Sequence, residues 1–180
     1  MAIVVGLLRG VNVGGNRMVP MADLKAGLEA AGFAPVKTHL NSGNVIFEAG
    51  KLDDEAAAKA VAGVVQAKCG FAPEVVVRSA AELKKALAND PYPEESGGRM
   101  LITVLDGPPR PEGVKHLEAW KDGPERLKVI GNDVFVSYAE GLADSKLAKL
   151  NWGRILAVSG TARNRNTVAK LVELAEGLAG

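Results

Sequence analysis

Two stretches of this sequence carry residue types that hold anions. The first reads Arg9-Gly10-Val11-Asn12-Val13-Gly14-Gly15-Asn16-Arg17. It sits between an apolar, strand-length run and a helical pattern, the setting in which backbone N–H groups cradle phosphate. Gly10 and Gly15 have the spacing of a Walker loop, but Asn16-Arg17 stands where Lys-Ser/Thr would grip phosphate and magnesium, so a P-loop NTPase is rejected. A dinucleotide fingerprint fails too, because Asn12 occupies the second glycine position. The competing reading is that Gly10, Gly14 and Gly15 only satisfy backbone geometry. The second stretch, Ser145 to Val172, contains no Asp or Glu but carries Lys146, Lys149, Arg154, Arg163, Arg165 and Lys170. Arg163 and Asn164 are expected to open a helix, so that guanidinium, amide and N-terminal N–H groups converge on one anion. A solvated basic face is the alternative. The first 22 residues also lack acid, and two such segments facing one another would form a cleft of positive potential.

A third polar cluster, Leu40-Asn41-Ser42-Gly43-Asn44, either builds a turn by bonding its own backbone or presents Ser42 and Asn44 to a ligand. Catalytic groupings are thin. His39 and His116 are the only histidines and Cys69 the only cysteine, with no metal-ligand spacing among them, so neither a metal nor a cofactor is expected. Ser145 and Lys146 are adjacent on an expected helix and would point about 100° apart, poor geometry for a Ser-Lys dyad. Glu48, Asp53 and Asp54 fit a strand end and a helix cap better than a pair of catalytic carboxylates.

These residues need elements to position them. Ala2 to Leu8 reads as a strand buried on both faces. Pro20 opens a helix with Leu24 and Leu28 inward that stops at Gly32. Pro35–Leu40 and Asn44–Glu48 form a hairpin, with Val36, Thr38 and Leu40 as the inward set and His39 outward. Asp53 caps a helix ending at Gly70, and Glu74–Arg78 completes βαββαβ, the ferredoxin-like split βαβ order. Ser79 and Glu82 form a capping box for the next helix. The Pro/Gly-rich segment 90–98 is the expected linker, dividing a first subdomain (1–89) from a second (99–180). Beyond it come a strand at Met100–Leu105, a Pro-opened helix with Val114 and Leu117 inward, and paired strands Arg126–Ile130 and Val134–Tyr138. A short helix near Asp144–Leu150, an irregular stretch and a helix from about Arg163 to Leu178 finish the chain, so the second half is expected to end in helix without a clear last strand. The fold class is α+β: two ferredoxin-like subdomains with a C-terminal helix.

Composition sets the outer limits. The 180 residues are 47% hydrophobic and 24% charged, ordinary for a chain that folds throughout. A net charge of +1 argues against a protein devoted to neutralising duplex DNA. One cysteine cannot form an internal disulfide, which suits a reducing, cytoplasmic setting. The apolar N-terminus lacks a basic flank and a cleavage-type pattern, and no apolar run approaches the ~20 residues of a membrane span.

The strings LLRGVNVGGNRMVPMADL, THLNSGNVIFE, GLADSKL and GTARNRNTVAKL resemble, in order, signature segments of the bacterial domain-of-unknown-function family numbered 1697. The resemblance implies two ferredoxin-like subdomains and no established reaction. Its polar positions match Arg9, Gly10, Asn12, Gly14 and Gly15; Ser42, Gly43 and Asn44; Ser145 and Lys146; and Thr161, Arg163, Asn164 and Thr167. Arg165 and His39 depart from it, standing where similar sequences often carry tryptophan and an aromatic residue. The expected function is binding of a small anionic or phosphorylated metabolite or nucleotide, through the glycine-rich loop and with Arg9, Lys146 and Arg163 as charge partners. Single-stranded RNA is the alternative ligand, because ferredoxin-like halves are also an RNA-binding scaffold. At 4% aromatic residues a stacking platform is hard to build. A protein-interaction module, including a homodimer, is the third reading.

Overall fold

The computed structural model describes residues 3–180, so Ala2, the expected start of the first strand, lies outside the described residues. The apolar run IVVGLL forms β1 (Ile3–Leu8), followed by α1 (Met21–Ala30), β2 (Val36–His39), β3 (Asn44–Glu48), α2 (Asp54–Cys69) and β4 (Val75–Ser79). These strands make an antiparallel sheet of order β2-β3-β1-β4, with Val5 opposite Ile46 on one side and Arg78 on the other. Alternation along the strands sends Val4, Leu8, Val45, Phe47, Val75 and Val77 to one face, where Leu24 and Leu28 of α1 and Val61 and Val65 of α2 bury them. The two helices approach so closely that a Cβ on Gly27 would fall 2.4 Å from Val64 Cγ1. Asp53 caps α2 by accepting from the Ala56 N–H at 2.8 Å, and Gly70 ends it with φ 81°.

Helix α3 (Ala80–Ala88) opens with the expected capping box: the Ser79 N–H donates to Glu82 Oε2 at 2.8 Å, and the Glu82 N–H to Ser79 Oγ at 3.2 Å. After it come β5 (Met100–Leu105), α4 (Pro111–Glu118), β6 (Arg126–Ile130), β7 (Asp133–Ser137), α5 (Trp152–Leu156), β8 (Gly160–Asn164) and α6 (Arg165–Ala179). The second sheet has order β6-β7-β5-β8, the topology of the first. Leu105, Val134 and Val136 pack there with Leu117 of α4, Leu156 of α5 and Leu147. A Cβ on Gly113 would lie 2.1 Å from the Ile155 carbonyl oxygen, so α4 and α5 meet backbone to backbone. By contact density the chain forms two compact units, one running to Lys84 and including Lys170–Gly180, the other Lys85–Ala169. Among the described residues no helix is long and apolar enough to cross a membrane.

Four expectations are corrected. Residues 144–150 form successive turns, closed by Lys149 N–H to Lys146 O (3.2 Å) and Leu150 N–H to Leu147 O (3.2 Å). The Trp152 indole also donates to the Leu147 carbonyl, at 2.9 Å, engaging the acceptor that a continuing helix would use. The helix forms one turn later, where Asn151 caps α5 by accepting from the Arg154 N–H at 3.0 Å. The second half does have a last strand: GTARN pairs with β5, Thr103 opposite Ala162, and pairing overrides a sequence poor in strand formers. Arg163 and Asn164 therefore end β8, and the helix starts at Arg165. Leu40 turns outward, 55% exposed with φ 59°, because β2 stops at His39.

Candidate anion-binding site

In the first unit the glycine-rich loop folds into a small hairpin. Val13 bridges Asn16 across Gly14 (φ 60°) and Gly15 (φ 76°), and the Asn12 N–H donates to the Arg17 carbonyl at 3.1 Å. Two successive left-handed residues are what a tight hairpin turn requires, and glycine adopts them without strain. Asn12 is the hinge of the arrangement. Its amide donates to Val19 O at 2.9 Å and Asn41 O at 2.6 Å, and its oxygen accepts from the Val19 N–H at 2.7 Å. The first two signature segments thus meet through Asn12, and also through the Leu8 N–H to Gly43 O bond of 2.8 Å. Gly43 (φ 84°) leaves no room for a side chain, since a Cβ there would lie 2.6 Å from Val11 Cγ2. Asn44, fully buried, donates to His39 O at 2.8 Å and Ser42 Oγ at 3.0 Å. Beside the hairpin, Arg9 pairs with Glu74 at 2.6 Å, and the Arg17 guanidinium lies 4.8 Å from the centroid of the Phe71 ring. These groups border an open depression of about 370 Å³.

In the second unit an opening follows from helix length. The first sheet is covered beside β4 by the 16-residue α2, and Val75 and Val77 are buried there. The corresponding α5 has five residues, which leaves Ala162 of β8 exposed and its neighbour Leu101 only half-buried. A cavity of about 260 Å³ lies at this end of the sheet, where β5 begins and β7 and β8 finish. Its polar lining is Arg99, Arg163, Asn164 and Tyr138; its apolar lining includes Leu101 and Leu142. Arg99 Nη1 donates to the Ala139 carbonyl at 2.5 Å, fixing the guanidinium beside the turn that leads to Gly141, whose φ is 96°. Arg163 is 8% exposed and donates to Thr161 Oγ1 and the Ala162 carbonyl, both at 2.8 Å. Burial pulls its pKa down to about 10, so it stays charged at neutral pH while losing hydration. Burial, followed by the Glu125 charge, pushes the Tyr138 hydroxyl up to about 12, keeping it a donor. Alternation along β8 sends Thr161 and Arg163 to the face opposite Ala162, so Arg99 is the guanidinium on the cavity's side, and no carboxylate is among the described lining residues.

The expected residues therefore fall into groups. Arg9 borders the first-unit depression with Gly10; Gly14 and Gly15 form the hairpin tip; Asn12, Ser42 and Asn44 hold loop to turn. Arg163 and Asn164 line the second-unit cavity. Asn164 also caps α6, its Oδ1 accepting from the Thr167 N–H at 2.8 Å. Lys146 is exposed on the 144–150 turns, and the neighbouring Ser145 hydroxyl donates to Glu125 and accepts from the Ala148 N–H at 3.1 Å, a structural post. Arg165 lies in the same basic stretch but grips the expected linker, pairing with Asp90 at 2.6 Å and donating to the carbonyls of Tyr92 (3.1 Å) and Glu95. Sequence reasoning missed Arg99, Tyr138 and Leu142. Leu142 stands in the GLADSKL segment, so the third and fourth signature segments meet at the cavity as the first two meet at the hairpin. Among the described residues no group of three or more His, Cys, Asp or Glu is placed to hold a metal ion.

Residues 1–135 match the family described as Protein of unknown function (DUF1697). The chain belongs to this family. The match runs from β1 into β7 and ends before the last two signature segments. No curated protein matches the chain. Among solved structures, the conserved bacterial protein SP0830 from Streptococcus pneumoniae is similar, at 21% identity and a TM-score of 0.77, over 97% of this chain and 98% of that one. At that identity the likeness concerns the fold, and it extends through the C-terminal region that the family match leaves out.

Proposed function

We propose that this DUF1697 protein is a cytoplasmic binder of a small organic anion, phosphorylated or carboxylated, held in the second-unit cavity. The observation that carries the reading is the lining: the Arg99 guanidinium with the Asn164 amide, at a sheet end left open by the short α5, with no carboxylate among the described lining residues. The volume of about 260 Å³ suits a small metabolite and is narrow for a polymer. Arg99, at the mouth, supplies charge-assisted hydrogen bonds worth about 1.5–3 kcal/mol each. Of the two segments the sequence singled out, the reading rests on the basic one; the glycine-rich loop contributes a rigid hairpin in the other unit.

Thermal denaturation against a panel of phosphate and carboxylate monoesters tests this. A ligand at about 100 times its dissociation constant adds roughly 2.7 kcal/mol, which at roughly 2–4 °C per kcal/mol for a chain of this size is a rise of about 5–11 °C. Arg99→Glu, at an exposed position, should lose the rise as measured from the variant's own unliganded melting temperature, since it also gives up the bond to the Ala139 carbonyl. A rise that survives Arg99→Glu, or none with any anion, contradicts the assignment.

A further inference from the structure

Beyond charge, the cavity has an apolar wall. Leu142 is 47% exposed, one of five exposed large hydrophobic side chains among the described residues. It lines the cavity with half-buried Leu101 and exposed Ala162, and the polar lining there includes Arg99 and Asn164. Leu101 and Asn164 are register partners on β5 and β8, so the apolar and polar walls meet within one residue pair. The turn that carries Leu142 is held on both sides: Gly141 N–H donates to Tyr138 O at 2.8 Å, and Arg99 donates to Ala139 O. An exposed leucine on a held turn, lining a cavity of about 260 Å³ together with the Arg99 guanidinium and the Asn164 amide, fits a ligand whose anionic group is joined directly to an apolar body.

We infer that the ligand class is an organic monophosphate or carboxylate with a ring-sized apolar body next to its charged group, and that Leu142 selects for that body over hydrophilic anions such as inorganic or sugar phosphates. This rests on the anion-binding reading above and narrows it. Covering Leu142 and Leu101 removes enough apolar surface from water for roughly a tenfold gain in affinity.

Calorimetric titration of the full chain with phenyl phosphate and methyl phosphate, which share a charged group and differ in the body, tests it. The expected result is that phenyl phosphate binds roughly tenfold tighter than methyl phosphate, and that Leu142→Ser, a change at an exposed position, removes most of that difference while methyl phosphate binding stays. Equal affinities would overturn the selectivity and leave the anion site standing. A phenyl preference unchanged by Leu142→Ser would overturn the role of Leu142. Binding of neither compound would overturn both this inference and the reading under it.

Discussion

Replacing Asn12 by alanine tests whether the glycine-rich loop is a structural hairpin. Asn12 makes three hydrogen bonds through one amide, to Val19 O, to Asn41 O and from the Val19 N–H, at 2.6 to 2.9 Å. At about 0.5–1.5 kcal/mol net for each bond, their loss removes about 1.5–4.5 kcal/mol. Its φ of 56° is left-handed, a region asparagine visits readily and alanine at a cost of about 1 kcal/mol. Asn12→Ala should therefore destabilise the protein by about 2.5–5.5 kcal/mol, and Asn12→Gly, which relieves the backbone but not the bonds, by about 1 kcal/mol less. Urea unfolding followed by far-ultraviolet circular dichroism reads both values from the shift in midpoint at constant slope. The ordering matters as much as the size. If both variants lose less than about 0.5 kcal/mol, the range of an ordinary surface change, Asn12 does not tie loop to turn.

Further predictions concern the second unit. Arg165→Ala strands the Asp90 carboxylate, whose side chain is 4% exposed, and should cost about 3–5 kcal/mol. It should also speed limited proteolysis within residues 90–98, and an unchanged cleavage rate would show that Arg165 does not hold that segment. Burial pushes the Glu125 carboxyl up, but bonds from the Ser145 hydroxyl, its own backbone and the Trp120 indole more than offset this, and its pKa lies below the ordinary glutamate value. A carboxylate whose pKa is lower folded than unfolded contributes stability that is complete above the unfolded value and is lost as pH falls through the folded one. Glu125→Gln should accordingly flatten the loss of stability in that acid range, and a stability–pH profile with the parent slope would contradict the assignment.

Much of the fold was legible because local chemistry and tertiary pairing agree. The run IVVGLL, the Asp53 cap, the Ser79–Glu82 box and the left-handed Gly70 each fix an element independently, and the first βαββαβ unit follows from them. The second unit was harder to read where tertiary contacts decide. Nothing local marks GTARN as a strand; it becomes one by pairing with β5. The 144–150 segment has helical composition but spends its bonds on Glu125 and Trp152. At the candidate site, charge bias pointed to Arg163 and Asn164, whereas Arg99 and Leu142 carry no signal in isolation. Their importance depends on a helix of five residues that leaves the sheet end open, a length that could be read only once β8 was placed.

The central claim is tested most directly by nuclear magnetic resonance titration of the isotope-labelled protein with phenyl phosphate, following backbone amides and arginine Nε–H signals together. Binding in the second-unit cavity predicts saturable shifts concentrated at residues 98–101, 138–142 and 162–164, with Arg99 Nε–H among the largest. Shifts confined to residues 9–17 and Glu74 would place the anion at the first-unit depression and contradict the account.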